Sequence, residues 1–138
     1  MTGIMLVTHN TLGDALVDCA RHVFGAAPAN VMVLSVHASD NTERLEKEGR
    51  QVVAHLDRGD GVLLLADMFG ATPSNIAARL CELPNVAGVA GVNLPMLLRV
   101  ITNADKPLHE LVQIALDGGR DCIVSITHDS PESCHAAK

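Results

Sequence analysis

Tryptophan and tyrosine are missing from this 138-residue chain, and two phenylalanines are its whole aromatic content. Its core must therefore be assembled from Val, Leu, Ile, Ala and Met, a mixture that suits parallel strands covered by helices. Cationic residues are also scarce, with 10 Lys and Arg against 16 Asp and Glu and a formal charge of −6. A basic patch able to follow a phosphate backbone has no material here, so nucleic acid is excluded as a partner. No apolar run approaches the roughly 20 residues that cross a bilayer. Met1-Thr2-Gly3 leads into an apolar stretch without the basic flank or cleavage site of a signal peptide. The expectation is a cytoplasmic protein with no direct membrane insertion. Cys19, Cys81, Cys122 and Cys134 form no CxxC pair and are expected to be reduced packing residues. The glycine-rich patterns of dinucleotide and ATP sites and the GxSxG elbow are absent, so neither an organic cofactor nor a serine hydrolase is expected.

What is present is organised around Leu63 to Asn75, LLLADMFGATPSN. The apolar run Val62 to Ala66 is short enough for a strand buried on both faces. Asp67 interrupts it, Gly70 permits an unusual turn, and Thr72-Pro73 marks a helix start, with a hydroxyl N-cap and then proline at the first helical position. A carboxylate at the carboxyl end of a buried strand, facing a helix amino end, is where open α/β sheets place ligands.

The rest of the chain alternates in the same way. Gly3 to Thr8 reads as a buried strand, ended by His9-Asn10. From Leu12 to Phe24 apolar residues recur at helical spacing, and Gly25 stops the helix. Val31 to Val36 is a second strand, and Asp40 with Glu43 suggests a capping pair for a mostly charged helix, about Asn41 to Leu56, with a stripe of Leu45, Val52, Val53 and Leu56. After a helix over Ser74 to Leu80 comes a glycine-thinned strand, Val86 to Val92, whose glycines suggest close packing. Pro95 opens a helix to about Ile101, Pro107 to Leu116 is another, Gly118-Gly119 ends it, and Asp121 to Thr127 reads as a last strand. Residues 1–127 thus form one domain, and the polar stretch 128–138 reads as a loosely ordered tail.

This alternation specifies an α/β fold: a doubly wound, mostly parallel sheet with helices on both faces and the simplest order 2-1-3-4, to which the final strand is added. In that order the first and third strands are neighbours whose crossovers leave to opposite faces, so a crevice opens between their carboxyl ends. His9 and Asp67 meet there. An aspartate that accepts the Nδ1 hydrogen of an imidazole fixes its tautomer and leaves a lone pair on Nε2. Free N–H groups at the helix start after Thr72 suit an anion. Together these features suggest phosphoryl transfer onto histidine. The histidines at 22, 37, 55 and 109 read as surface residues. His128, Cys134 and His135 lack a ligand pattern of known spacing, and no metal is expected.

VTH at Val7 to His9, DMFGATPSN at Asp67 to Asn75 and AGVNLPMLL at Ala90 to Leu98 resemble the mannose-type (mannose, fructose, sorbose) IIA component of the bacterial phosphoenolpyruvate-dependent sugar phosphotransferase system. The resemblance covers about Gly3 to Ser125. It implies that His9 accepts a phosphoryl group from the phosphocarrier protein HPr and passes it to a IIB component, with Asp67 as partner of the histidine. It also implies that Thr72, with Ser74 and Asn75 of the same motif, contacts the phosphoryl oxygens. Members are often homodimers, some exchanging the final strand, here Asp121 to Thr127. Asn10 replaces a common glycine and tolerates left-handed angles; Phe69 replaces a frequent tryptophan. With no Ala/Pro-rich linker after the motif region, a stand-alone IIA is expected. The alternative is a regulatory module in which the phosphorylation state of His9 controls binding to a target protein.

Overall fold

The structure, a computed structural model, describes residues 1–129 and 132–134. Continuous apolar runs become strands: β1 (Gly3–His9), β2 (Val31–Val36), β3 (Val62–Ala66) and β4 (Val86–Ala90). They form one parallel sheet in the order β2-β1-β3-β4. Between and after them lie α1 (Leu12–Phe24), α2 (Thr42–Leu56), α3 (Thr72–Leu80), α4 (Leu94–Thr102) and α5 (Leu108–Asp121).

Alternation along the two central strands divides the core. Ile4, Leu6, Leu63 and Leu65 point to one face and pack with Ala20 of α1, Leu97 and Val100 of α4, and Leu111 and Ala115 of α5. Met5, Val7, Val62 and Leu64 point to the other and pack with Leu45, Val53 and Leu56 of α2 and Ile76 and Leu80 of α3. Every residue of β3 is buried, so its carboxyl end is held from both faces and fixes whatever follows it. Because α1 covers one face and α2 the other, the winding reverses between β1 and β3.

Local differences from the sequence expectations have physical causes. The expected final strand over Asp121 to Thr127 is corrected: Asp121 ends α5, and residues 123–126 have no regular structure in this chain. Gly118-Gly119 does not end the helix, because these glycines serve close helix contact. A Cβ on Gly118 would lie 2.9 Å from Arg99 Cδ, and one on Gly119 2.7 Å from Met96 Cε. The segment beyond pairs with none of the four strands, and Ile123 and Ile126 are exposed. Asn41, not Asp40, caps α2, accepting from the N–H groups of Glu43 and Arg44; Asp40 instead accepts from the His37 N–H at 2.8 Å. In β4, Gly88 makes room for the Cys81 sulfur, which a Cβ would meet at 2.9 Å.

The cysteine expectation is corrected in part. Cys19 and Cys81 are free thiols, but Cys122 and Cys134 form a disulfide that ties the short 3-10 turn Glu132–Cys134 back to the end of α5. The two stand 12 residues apart with no diagnostic spacing, so only the path of the chain after α5 brings them together. His135, and part of the expected loose tail, lie outside the described residues.

Candidate functional site

The β1–α1 turn is built from inside the fold. Thr8 is fully buried, and its hydroxyl accepts the Gly13 N–H at 2.8 Å. This satisfies one of the orphan donors at the start of α1, where Thr11 makes no side-chain cap. Only glycine fits at position 13, since a Cβ would lie 2.6 Å from that hydroxyl. Asn10 adopts φ +50°, the left-handed angle its residue type tolerates, and its N–H bonds to the Val36 carbonyl at 2.8 Å. His9 is thereby placed at the rim of the sheet by backbone contacts on both sides.

Across from it, β3 ends at Ala66, paired with Val7 of β1, so Asp67 emerges beside the last residues of β1. Asp67 Oδ2 accepts twice from His9, from the backbone N–H at 2.9 Å and from Nδ1 at 2.7 Å. Its Oδ1 accepts the Met68 N–H at 3.0 Å. The Asp67 side chain is 9% exposed while that of His9 is 43% exposed. Burial alone disfavours the charged carboxylate. The His9 N–H, the His9 ring with its charge, and the Met68 N–H outweigh burial and hold the carboxyl below its ordinary value of 3.8. An ionised carboxylate can only accept, so Nδ1 carries a proton, and in the neutral ring that tautomer leaves the lone pair on Nε2. The ring therefore has its inner nitrogen anchored and its outer one available.

The loop after Asp67 turns at Gly70, φ +84°. The expected hydroxyl N-cap at Thr72 is corrected: Thr72 is the first residue of α3, Pro73 the second, and Ala71 occupies the cap position. Ala71 has no side-chain acceptor, and Ser74 replaces one. Its Oγ accepts from the N–H groups of Gly70 at 2.9 Å and Ala71 at 3.2 Å and donates to the Ala71 carbonyl at 2.9 Å. A hydroxyl offers one donor and two acceptor sites, so Ser74 is fully engaged. Thr72 and Asn75 are exposed on the first turn of the helix.

His9 and Asp67 are thus brought together, while Thr72, Ser74 and Asn75 follow on the next element. The histidines at 22, 37, 55, 109 and 128 are exposed and stand apart from this pair. Thr8 escaped the sequence reading, although its spacing to Gly13 carried a signal: a hydroxyl before a turn and a glycine just inside the following helix. Met68 and Phe69, 54% and 88% exposed, flank the pair as large apolar side chains in solvent. Among the described residues no cluster of three or more His, Cys, Asp or Glu is placed to hold a metal, and no helix is long and apolar enough to cross a membrane.

Residues 3–115 match the EIIA-man family model, described as "PTS system fructose IIA component". The chain is 30% identical over 126 residues to the mannose-specific EIIAB component of Escherichia coli K12, a match that covers 89% of this chain and 39% of that protein. It is 29% identical over 103 residues to the fructose-specific EIIA component of Bacillus subtilis, covering 74% of this chain and 70% of the relative. The solved mannose/sorbose-specific IIA subunit of Enterococcus faecalis superposes with a TM-score of 0.81 at 22% identity, covering 95% of this chain and 97% of that one, and shares the fold. The chain belongs to the EIIA-man family of sugar phosphotransferase system IIA components.

Proposed function

We propose that this chain is a phosphohistidine carrier, in which His9 accepts a phosphoryl group from phospho-HPr and donates it to a IIB component. The observation that carries this reading is the 2.7 Å contact between His9 Nδ1 and Asp67 on a half-exposed ring: in the neutral imidazole it puts the proton on Nδ1 and the lone pair on Nε2. In the transfer, the Nε2 lone pair forms a bond to phosphorus as the bond from phosphorus to the donor breaks. The ring gains positive charge, and the adjacent carboxylate stabilises it without taking the proton. The exposed Thr72 hydroxyl and Asn75 side chain, together with free N–H groups at the start of α3, are offered to the phosphoryl oxygens. No metal or organic cofactor takes part. The same reading places the protein in the cytoplasm, as a homodimer, with residues 1–127 as the functional domain.

The test is intact-mass analysis after incubation with phosphoenolpyruvate, enzyme I and HPr. Wild type should gain one acid-labile phosphoryl group and His9→Ala none; a folded His9→Ala that gains the same group refutes the site. Adding IIB proteins then identifies the acceptor, and label that stays on His9 with every IIB supports the regulatory alternative.

A further inference from the structure

The loop between Asp67 and α3 turns side chains out to solvent. A Cβ at Gly70 would meet no atom within 4 Å, Phe69 is largely exposed and Met68 more than half exposed. Hydrogen bonds at its two ends fix its backbone. At one end the Met68 N–H is bound by the carboxylate that also holds His9. At the other, Ser74 Oγ gathers the Gly70 and Ala71 N–H groups and the Ala71 carbonyl, closing the left-handed turn at Gly70. Between these pins stand a methionine and one of the only two phenylalanines in the chain. Leu12, three residues after His9, is also exposed at 44%. An exposed aromatic on a turn whose backbone is pinned at both ends, beside His9, has the character of an interface anchor: large contact area at low entropic cost.

We infer that Ser74 is a positioning residue, which fixes the Met68-Phe69 turn so that the Phe69 side chain enters an apolar recess on the protein that phosphorylates His9. This inference rests on the carrier reading above. A phosphoryl group passed between two proteins must travel at contact distance to Nε2. The donor therefore covers the turn attached to Asp67, and the turn's shape becomes part of recognition. Ser74 acts through that shape: its hydroxyl is spent on the Gly70 and Ala71 N–H groups and the Ala71 carbonyl, so in place of the phosphoryl contact that the resemblance implied for it, Ser74 takes this structural role. Without its hydroxyl, the Gly70 and Ala71 N–H groups lose their common acceptor, the turn samples other conformations, and Phe69 no longer arrives preorganised.

The experiment compares wild type, Ser74→Ala, Ser74→Thr, Phe69→Ala and the Ser74→Ala/Phe69→Ala double variant. Each is phosphorylated by phospho-HPr over a range of concentrations and, separately, by phosphoramidate, a small donor that needs no docking surface. With the protein donor, Phe69→Ala should raise KM about tenfold and Ser74→Ala about fivefold, with kcat nearly unchanged. The double variant should match Phe69→Ala alone, because Ser74 works through Phe69, and Ser74→Thr should restore wild-type KM. Rates with phosphoramidate should be equal throughout. An unchanged KM in Ser74→Ala, multiplying effects in the double variant, or an equal loss with phosphoramidate would each overturn the inference. Phe69→Ala, an exposed position, keeps the test sharp if Ser74→Ala loses stability. If wild-type His9 is labelled by neither donor, the carrier reading itself fails, an outcome distinct from normal labelling with unaltered KM.

Discussion

Replacing Asp67 with asparagine isolates the contribution of charge at the His9 pair, because the amide has nearly the shape of the carboxylate but only one acceptor oxygen. The native carboxylate receives three donors: the His9 N–H and Nδ1 on Oδ2, and the Met68 N–H on Oδ1. With the amide oxygen toward His9, two of these bonds persist and only the Met68 N–H faces an NH2 group. In the flipped orientation the NH2 faces both the His9 N–H and Nδ1, and the ring must move its proton to Nε2. The first orientation has fewer conflicts and keeps the productive tautomer. What it loses is the difference between a charge-assisted hydrogen bond, about 1.5–3 kcal/mol, and a neutral one, about 1 kcal/mol. A deficit of about 0.5–2 kcal/mol in the transition state slows phosphorylation of His9 by roughly 2- to 30-fold. The assay is rapid-quench transfer from labelled phospho-HPr, with the ring tautomer read by nitrogen-15 NMR of His9. A rate within about twofold of wild type in a folded variant would remove Asp67 from the mechanism. A loss beyond about a thousandfold with the Nδ1–H tautomer intact would show that the carboxylate does more than stabilise charge.

The same carboxylate links stability to acid. Its folded-state value lies below 3.8, so its stabilising contribution is complete above that value and is lost as pH falls below it toward the lowered folded value. Urea midpoints of wild type and Asp67→Asn should therefore converge as pH is lowered from about 5 to about 2; a constant gap would contradict the assignment. The thiol pattern has an equally direct readout. Denatured, unreduced protein should be alkylated at Cys19 and Cys81 only, and all four cysteines should react after reduction. Four reactive thiols before reduction would refute the disulfide.

The architecture was legible because its signals are periodic and repeated. Two-faced burial makes β1 and β3 unbroken apolar runs, and helical spacing between strands leaves few topologies to consider. The order β2-β1-β3-β4 then brought His9 and Asp67 to one crevice before any contact was known. Gly70 and Asn10 were legible for a related reason, since few residue types accept positive φ. Gly118 and Gly119 show where the same logic fails. A glycine near a helix end reads as a stop or as a contact point, and only the position of Arg99 and Met96 on α4 decides between them. Strand propensity over residues 121–127 misled in a parallel way, because a β-branched, apolar stretch suits a strand without naming the edge that will receive it.

Capping was the least legible level, and it is the level at which the candidate site is held together. Asn41 replaced Asp40, Ala71 replaced Thr72, and Thr8 and Ser74 supplied side-chain oxygens to turns they do not themselves form. Each case depends on which backbone N–H groups a turn leaves unpaired, and that follows from coordinates a residue or two on either side. Thr8 reaches across five residues to Gly13, and Ser74 reaches back four to Gly70. The spacing of Ser74 is too loose to stand out in a sequence, and that of Thr8 is marked only by a hydroxyl before a turn and a glycine just inside the next helix. Yet Thr8 steadies the turn carrying His9 and Ser74 the turn carrying Phe69, so the candidate pair was readable from its residue types while the control of its placement was not. Substitutions at these hydroxyls should therefore alter partner affinity and turn rigidity before they alter the fold.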